Sequence, residues 1–261
     1  MLQSIINTLF KRKKKAAKNQ NEILETDKGF TMNYHNFTIH SHELQCIKAT
    51  KEQIFKNEIY RFNTENDKPF IIDAGANIGM AIFYWKNKYP NSKIIAFEPS
   101  REVYKTLLEN IATNNLKDVQ VFPYALSDTE GESYFTTNEK ISGSLVLEKD
   151  LAHTYKVQKV KLSDYLKEQT VDFLKIDIEG EEKKVFFEIA TFLSNVRNLF
   201  IEYHSFIHEE QYLSRILSEL ENQGFRYYIE DDFKIPHPLT NDFNSLNQDM
   251  KLNIWAKRNS N

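Results

Sequence analysis

The chain has 261 residues, 41% hydrophobic and 27% charged, enough for one large α/β core or for one domain with a small appendage. A formal net charge of −3 gives no electrostatic reason to expect a nucleic-acid partner, and the single Cys46 excludes an intrachain disulfide framework and a cysteine-rich zinc site. No stretch approaches the roughly 18 apolar residues of a membrane span, and the few Gly and Pro beside abundant Lys, Asn and Ile point to an AT-rich bacterial genome.

Residues 1–20 form a basic amphipathic tail. Leu2, Ile5, Ile6, Leu9 and Phe10 share one helical face, and Lys11 to Lys15 follow, with Lys18 beyond. A frayed helical end with solubilising lysines is the favoured reading. Peripheral contact of residues 1–18 with an anionic inner membrane surface is the alternative. The segment is too short and too charged to span, and no secretory cleavage pattern follows, so a cytoplasmic location is expected. Residues 21–67 read as a lead-in or cap, with a short strand at 37–39 and a helix over 51–62. His35, His40 and His42 cluster loosely there without acids at ligand spacing, and no metal site is predicted.

From residue 68 to 261 the pattern is a single α/β domain. The apolar run Phe70-Ile71-Ile72 ends in Asp73, and Gly75, Asn77 and Gly79 follow before a helix starting at Met80. The spacing D-x-G-x-x-x-G lacks the middle glycine of a dinucleotide loop. An acid so close would repel a pyrophosphate and suit an ammonium group; S-adenosylmethionine carries an ammonium, a sulfonium and no phosphate. An ordinary strand–loop–helix crossover is the bland alternative. A second buried strand, 93–98, ends in Glu98, 19 residues after Gly79, near the interval at which an acid meets a ribose diol. A helix over 103–111 leads to a third strand, 119–124. Ser127 and Asp128 beyond it face the adenine edge or form a simple turn.

Residues 131–161 look irregular, and 141–145 read as a polar loop, with Ser142 a candidate acceptor contact if the loop closes over the site. A fourth strand, 171–177, ends in Asp177. On an extended chain Asp177 and Glu179 point to one side, where they can share a proton, hold a divalent metal or act as general base. Glu181 and Glu182 read as helix N-terminal acids. A fifth strand, 199–204, puts Glu202 and His204 on one side, and an imidazole suits proton transfer at neutral pH. A helix over 211–222, stopped by Gly224, precedes strands 225–230 and 252–257. Pro236 and Pro238 between these last two predict an antiparallel hairpin.

The segment from about Asn57 to about Lys257 resembles the FkbM family of S-adenosylmethionine-dependent methyltransferases. The resemblance rests on the Asp73–Gly79 loop, Phe97-Glu98-Pro99, Val160–Leu166, Ala125-Leu126-Ser127, Leu174-Lys175-Ile176-Asp177-Ile178-Glu179-Gly180 and Ile201-Glu202-Tyr203-His204. It implies a class I methyltransferase fold, Rossmann-like, with a seven-stranded mainly parallel sheet and a C-terminal antiparallel hairpin. It further implies O-methylation of a sugar, glycan or other polyhydroxylated small molecule. Carried over by motif, Asp73, Gly75, Asn77 and Gly79 line the methionine end of the cofactor, Glu98 and Pro99 the ribose, and Ser127 and Asp128 the adenine. Asp177, Glu179 and His204 face the acceptor, with Glu202 and Ser142 as substrate contacts. His204 is the first candidate base and Asp177 or Glu179 the second; a divalent metal is left open without being predicted. A non-catalytic S-adenosylmethionine-binding scaffold and an NAD-linked oxidoreductase are the rival readings.

Overall fold

The computed structural model describes residues 22–137, 143–146, 154–240 and 247–258. The basic tail and Ser142 therefore lie outside the described residues.

A seven-stranded sheet forms the centre. Its strands are β4 (Phe70–Ala74), β5 (Lys93–Phe97), β6 (Val119–Phe122), β11 (Val171–Ile176), β12 (Val196–Phe206), β13 (Phe225–Asp231) and β14 (Gln248–Arg258). Their spatial order is β13-β14-β12-β11-β4-β5-β6. Neighbours from β12 to β6 are parallel, and β14 runs antiparallel between β12 and β13. This is the mainly parallel sheet with a terminal hairpin that the resemblance implies. Strand β11 is buried at every residue, as a central parallel strand covered on both faces must be.

Helices α2 (Met80–Lys88) and α3 (Arg101–Thr113) cover one face, and α4 (Glu182–Glu188) and α5 (Leu213–Asn222) the other. The chain runs outward from β4 through β5 to β6, then returns to β11 and continues the opposite way. The direction reverses between β4 and β11, and ligands of open α/β sheets bind at the carboxyl ends of strands flanking such a point. Asp172 clamps the other end of this strand pair. Its buried carboxylate accepts hydrogen bonds from the Phe70 amide at 2.9 Å and from Asn66 Nδ2 at 2.9 Å, with Arg197 also against it.

Three expectations change. Pro123 has no N–H to donate, and the predicted third strand breaks there into β6 and β7 (Tyr124–Leu126), which belong to different sheets. The region expected to be irregular pairs instead. Strands β8 (Gly131–Thr137), β9 (Gly143–Val146) and β10 (Thr154–Val160) join β7 in a four-stranded sheet of order β7-β10-β8-β9, so 143–146 is strand and not loop. The lead-in holds more structure than one strand and one helix. Strands β1 (Ile23–Thr26), β2 (Gly29–Tyr34) and β3 (Phe37–Ser41) make an antiparallel sheet, and α1 (Leu44–Lys51) continues into a π-type turn that ends before Glu58 at φ +53°.

Asn110 of α3 and Asn114, the residue just past its end, fasten that small sheet. Asn110, fully buried, accepts from the His40 amide and donates to the His40 and Ile78 carbonyls; Asn114 pairs with both backbone groups of Thr38. The chain then crosses the sheet face, where Trp85 and Trp255 donate their indole N–H groups to the Tyr60 and Ile59 carbonyls.

Candidate active site

Loop 75–79 follows β4 directly. Gly75 has φ +92°, and a Cβ on it would fall 1.7 Å from the Asp177 carbonyl oxygen, so the two strand-end loops touch where no side chain fits. Every amide of this loop is already used. Gly75 and Ala76 donate to the Phe97 carbonyl, Asn77 to Glu98 Oε2, Ile78 to Asn77 Oδ1 and Gly79 to the Ala76 carbonyl. A phosphate cradle needs such amides free. The loop is closed on itself and presents none.

Glu98 is the far end of that closure. Its second oxygen accepts the Ser100 amide at 2.8 Å, and burial pushes its carboxyl up to about 7. Two backbone bonds leave lone pairs on both oxygens, enough for a diol. Pro99, partly exposed, turns the chain away behind it. Ser127 Oγ lies 3.3 Å from Asp128 and 3.2 Å from Glu181, placing the β7 end beside the loop after β11; Asp128 itself is exposed.

Asp73 is fully buried and neither oxygen accepts a hydrogen bond, although Lys175 Nζ stands 3.2 Å away. Burial raises the Asp73 carboxyl above its usual range. Lys175 was absent from the predicted site. It reads in sequence as one charge in an apolar run, yet its buried ammonium also reaches Asp177 at 3.3 Å and the Gly75 carbonyl at 2.7 Å. Burial opposes its charge, but Asp177 and Asp73 outweigh that and hold it protonated.

Asp177, Glu179 and His204 offer ligand atoms all within 4.8 Å of one another, the spacing of a small cation site. They meet for a different reason from the one expected. Strand β11 ends at Ile176, and Glu179 (φ +56°) and Gly180 (φ +108°) turn left-handed, so the two acids converge through a strained turn. Glu182, read in sequence as a helix N-terminal acid, is what shapes that turn. It is fully buried, accepts the Ile178 amide at 2.9 Å and the Gly180 amide at 3.0 Å, and sits 3.1 Å from His204 Nδ1.

His204, the first candidate base, sits among three carboxylates. Its Nε2 lies 3.4 Å from Glu202 and 3.7 Å from Glu179, while Nδ1 faces Glu182. Burial disfavours its charge, but the Glu182 and Glu202 carboxylates outweigh burial and raise its pKa well above the ordinary 6.5. That direction favours the protonated imidazolium, which donates hydrogen bonds rather than accepting a proton. For Glu179, burial lifts the carboxyl to about 7 against the opposing pull of His204, and its side chain is 40% exposed. Glu202 is kept ionised by His204 and by Lys251, which stands 2.7 Å from it and 2.9 Å from Asp232. Among the described residues the lead-in histidines form no metal-sized group, and His40 Nδ1 bonds Thr31 instead.

The family model "Methyltransferase FkbM domain" matches residues 73–227, more than half of the chain. Methyltransferase sdnD of Sordaria araneosa is 31% identical over 205 residues, 65% of this chain and 76% of the relative. Methyltransferase 1 of Beauveria bassiana is 32% identical over 163 residues, covering 53% of this chain and 66% of the relative. The crystal structure of methyltransferase FkbM from Methylobacillus flagellatus superposes with a TM-score of 0.49 at 16% identity, over 77% of this chain and 46% of that one.

Proposed function

Because the chain belongs to the FkbM family of methyltransferases, we propose that it transfers a methyl group from S-adenosylmethionine to a hydroxyl of a sugar, glycan or other polyhydroxylated small molecule. The observation that carries the choice of donor is the loop 75–79, whose amides are all spent internally. A dinucleotide would find no phosphate cradle there. A sulfonium nucleoside needs none, and the carboxylates of Asp73, Asp177, Glu179, Glu182 and Glu202 outnumber the nearby cations Lys175, Lys251 and His204.

When bound, S-adenosylmethionine supplies an electrophilic methyl group on a positively charged sulfur. Asp73 and loop residues Gly75, Asn77 and Gly79 would line its amino-acid end, Glu98 with Pro99 the ribose, and Ser127 with Asp128 the base. Glu179 accepts the proton of the acceptor hydroxyl. His204, protonated, stays beside Glu179 and keeps the pocket from accumulating uncompensated charge. Asp177 is paired with Lys175 and serves as a second acceptor of hydroxyl hydrogen bonds, with Glu202 beside it. Buried carboxylates with spare lone pairs suit a guest rich in O–H donors.

The test is a panel of sugars, glycans and polyols incubated with labelled S-adenosylmethionine, products being read as a one-methylene mass gain. Label on an ether oxygen of one acceptor class supports the proposal. Binding of S-adenosylhomocysteine without transfer to any hydroxyl would reduce the protein to a cofactor-binding scaffold.

A further inference from the structure

A groove of about 250 Å³ opens on one face of the sheet, one row level with Lys175 and the other nearer the end opposite the catalytic loops. Its floor follows from sheet register. Phe173, Asn198, Lys257 and Arg226 pair in one row across β11, β12, β14 and β13, so their side chains share one face. The next row holds Trp255 and Tyr228, with ring centroids 5.7 Å apart, and Arg61 and Phe62 of the lead-in form the wall. The row of Phe173 stands four residues from Asp177, about 13 Å along the strand.

The groove and the catalytic cleft have opposite characters. No carboxylate lines the groove, whereas three cations do, set among aromatic rings. Arg61 is paired with Glu58 at 2.9 Å. Among the described residues, Arg226 and Lys257 make no ion pair. Tyr228 is 64% exposed, so its ring is open to a ligand beside these two cations. The space fits one or two fused rings, below the usual range of drug-sized pockets.

We infer that this groove binds a small planar aromatic anion, its ring against Tyr228 and Trp255 and its acidic group on Arg226 and Lys257. The site is separate from methyl transfer and does not rest on the donor or acceptor assigned above. It touches the lead-in directly, since Trp255 Nε1 donates to the Ile59 carbonyl and the following residue, Tyr60, packs 5.9 Å from Lys175 Nζ.

Calorimetric titration of the full chain with 4-hydroxybenzoate, 4-hydroxybenzyl alcohol and inorganic phosphate tests it. The carboxylate should bind, the neutral alcohol at least about tenfold more weakly, and phosphate alone weakly or not at all. Arg226→Glu with Lys257→Glu, and separately the exposed Tyr228→Ala, should each weaken 4-hydroxybenzoate by about tenfold or more while binding of S-adenosylhomocysteine is unchanged. No binding by the wild type, equal binding by these variants, phosphate binding as tightly as the aromatic acid, or displacement by S-adenosylhomocysteine would each overturn the inference.

Discussion

At the scale of single residues, protonation separates Glu179 from His204. A base works when ionised. With its carboxyl raised to about 7, Glu179 should give kcat/KM a limb that rises as pH increases through neutrality. Glu179→Gln should remove that limb and lower kcat about 10²- to 10⁴-fold while the affinity for S-adenosylhomocysteine stays within about threefold. His204→Ala removes a positive charge that favours ionised Glu179, so the limb should move to higher pH by about one unit and persist. A pH-rate profile of both variants checks this; if the limb disappears in His204→Ala and survives in Glu179→Gln, the roles are reversed. The acids ending each strand were visible in sequence because an apolar run stops at a charge. Lys175 and Glu182 were not. A lysine inside a strand and a glutamate at a helix start have ordinary surface explanations, and only their burial beside Asp73, Asp177 and His204 brings them into the cluster.

At the scale of elements, the site depends on two strand ends being pressed together. Gly75→Ala would force a Cβ into the Asp177 carbonyl and a side chain into φ +92°. It should destabilise the fold by more than about 2 kcal/mol, measured by urea denaturation, and weaken cofactor binding in whatever fraction stays folded. Asp172→Ala should cost about 3 kcal/mol from the other end, because it strands the Phe70 amide and Asn66 without their acceptor. Equal stability of either variant would mean that the β4–β11 junction is not held as described. The five parallel strands and the terminal hairpin were legible because each is a compact apolar run bounded by Gly, Pro or acid. The sheet β7-β10-β8-β9 was not. Its strands are short and polar on alternate residues, and β7 finds its parallel partner β10 more than 30 positions away, which no local pattern encodes. The extent of β1 to β3 was hidden similarly, since their docking uses Asn110 and Asn114, residues that a helical pattern treats as solvent-facing.

For the whole molecule, the concentration of carboxylates at one end predicts how stability responds to pH and to ligand. Glu98 and Glu179 are both raised to about 7 by burial. A group whose folded pKa exceeds its unfolded value stabilises fully below the unfolded pKa, near 4.5, and loses that contribution as pH rises through 7. Glu202, lowered, acts in the opposite sense and gives its stability above 4.5. Between pH 5 and pH 8 the raised groups, with His204 among them, act in one direction, so the thermal midpoint should fall over that window, the Glu98 share amounting to at most about 3 kcal/mol. A cationic nucleoside favours the ionised form of these buried carboxylates, which ties this slope to ligand choice. At 100 times its Kd a ligand stabilises by about 2.7 kcal/mol, a midpoint rise of several degrees for a domain of this size. S-adenosylmethionine should give that rise, and more of it at pH 8 than at pH 6, where the carboxylates it faces are partly protonated. NAD should give none at either pH, because loop 75–79 has no amide left for its pyrophosphate. A midpoint raised by NAD and unmoved by S-adenosylmethionine would show that the loop opens to take phosphate and that the closed hydrogen-bond circuit from Gly75 to Glu98 does not select the ligand.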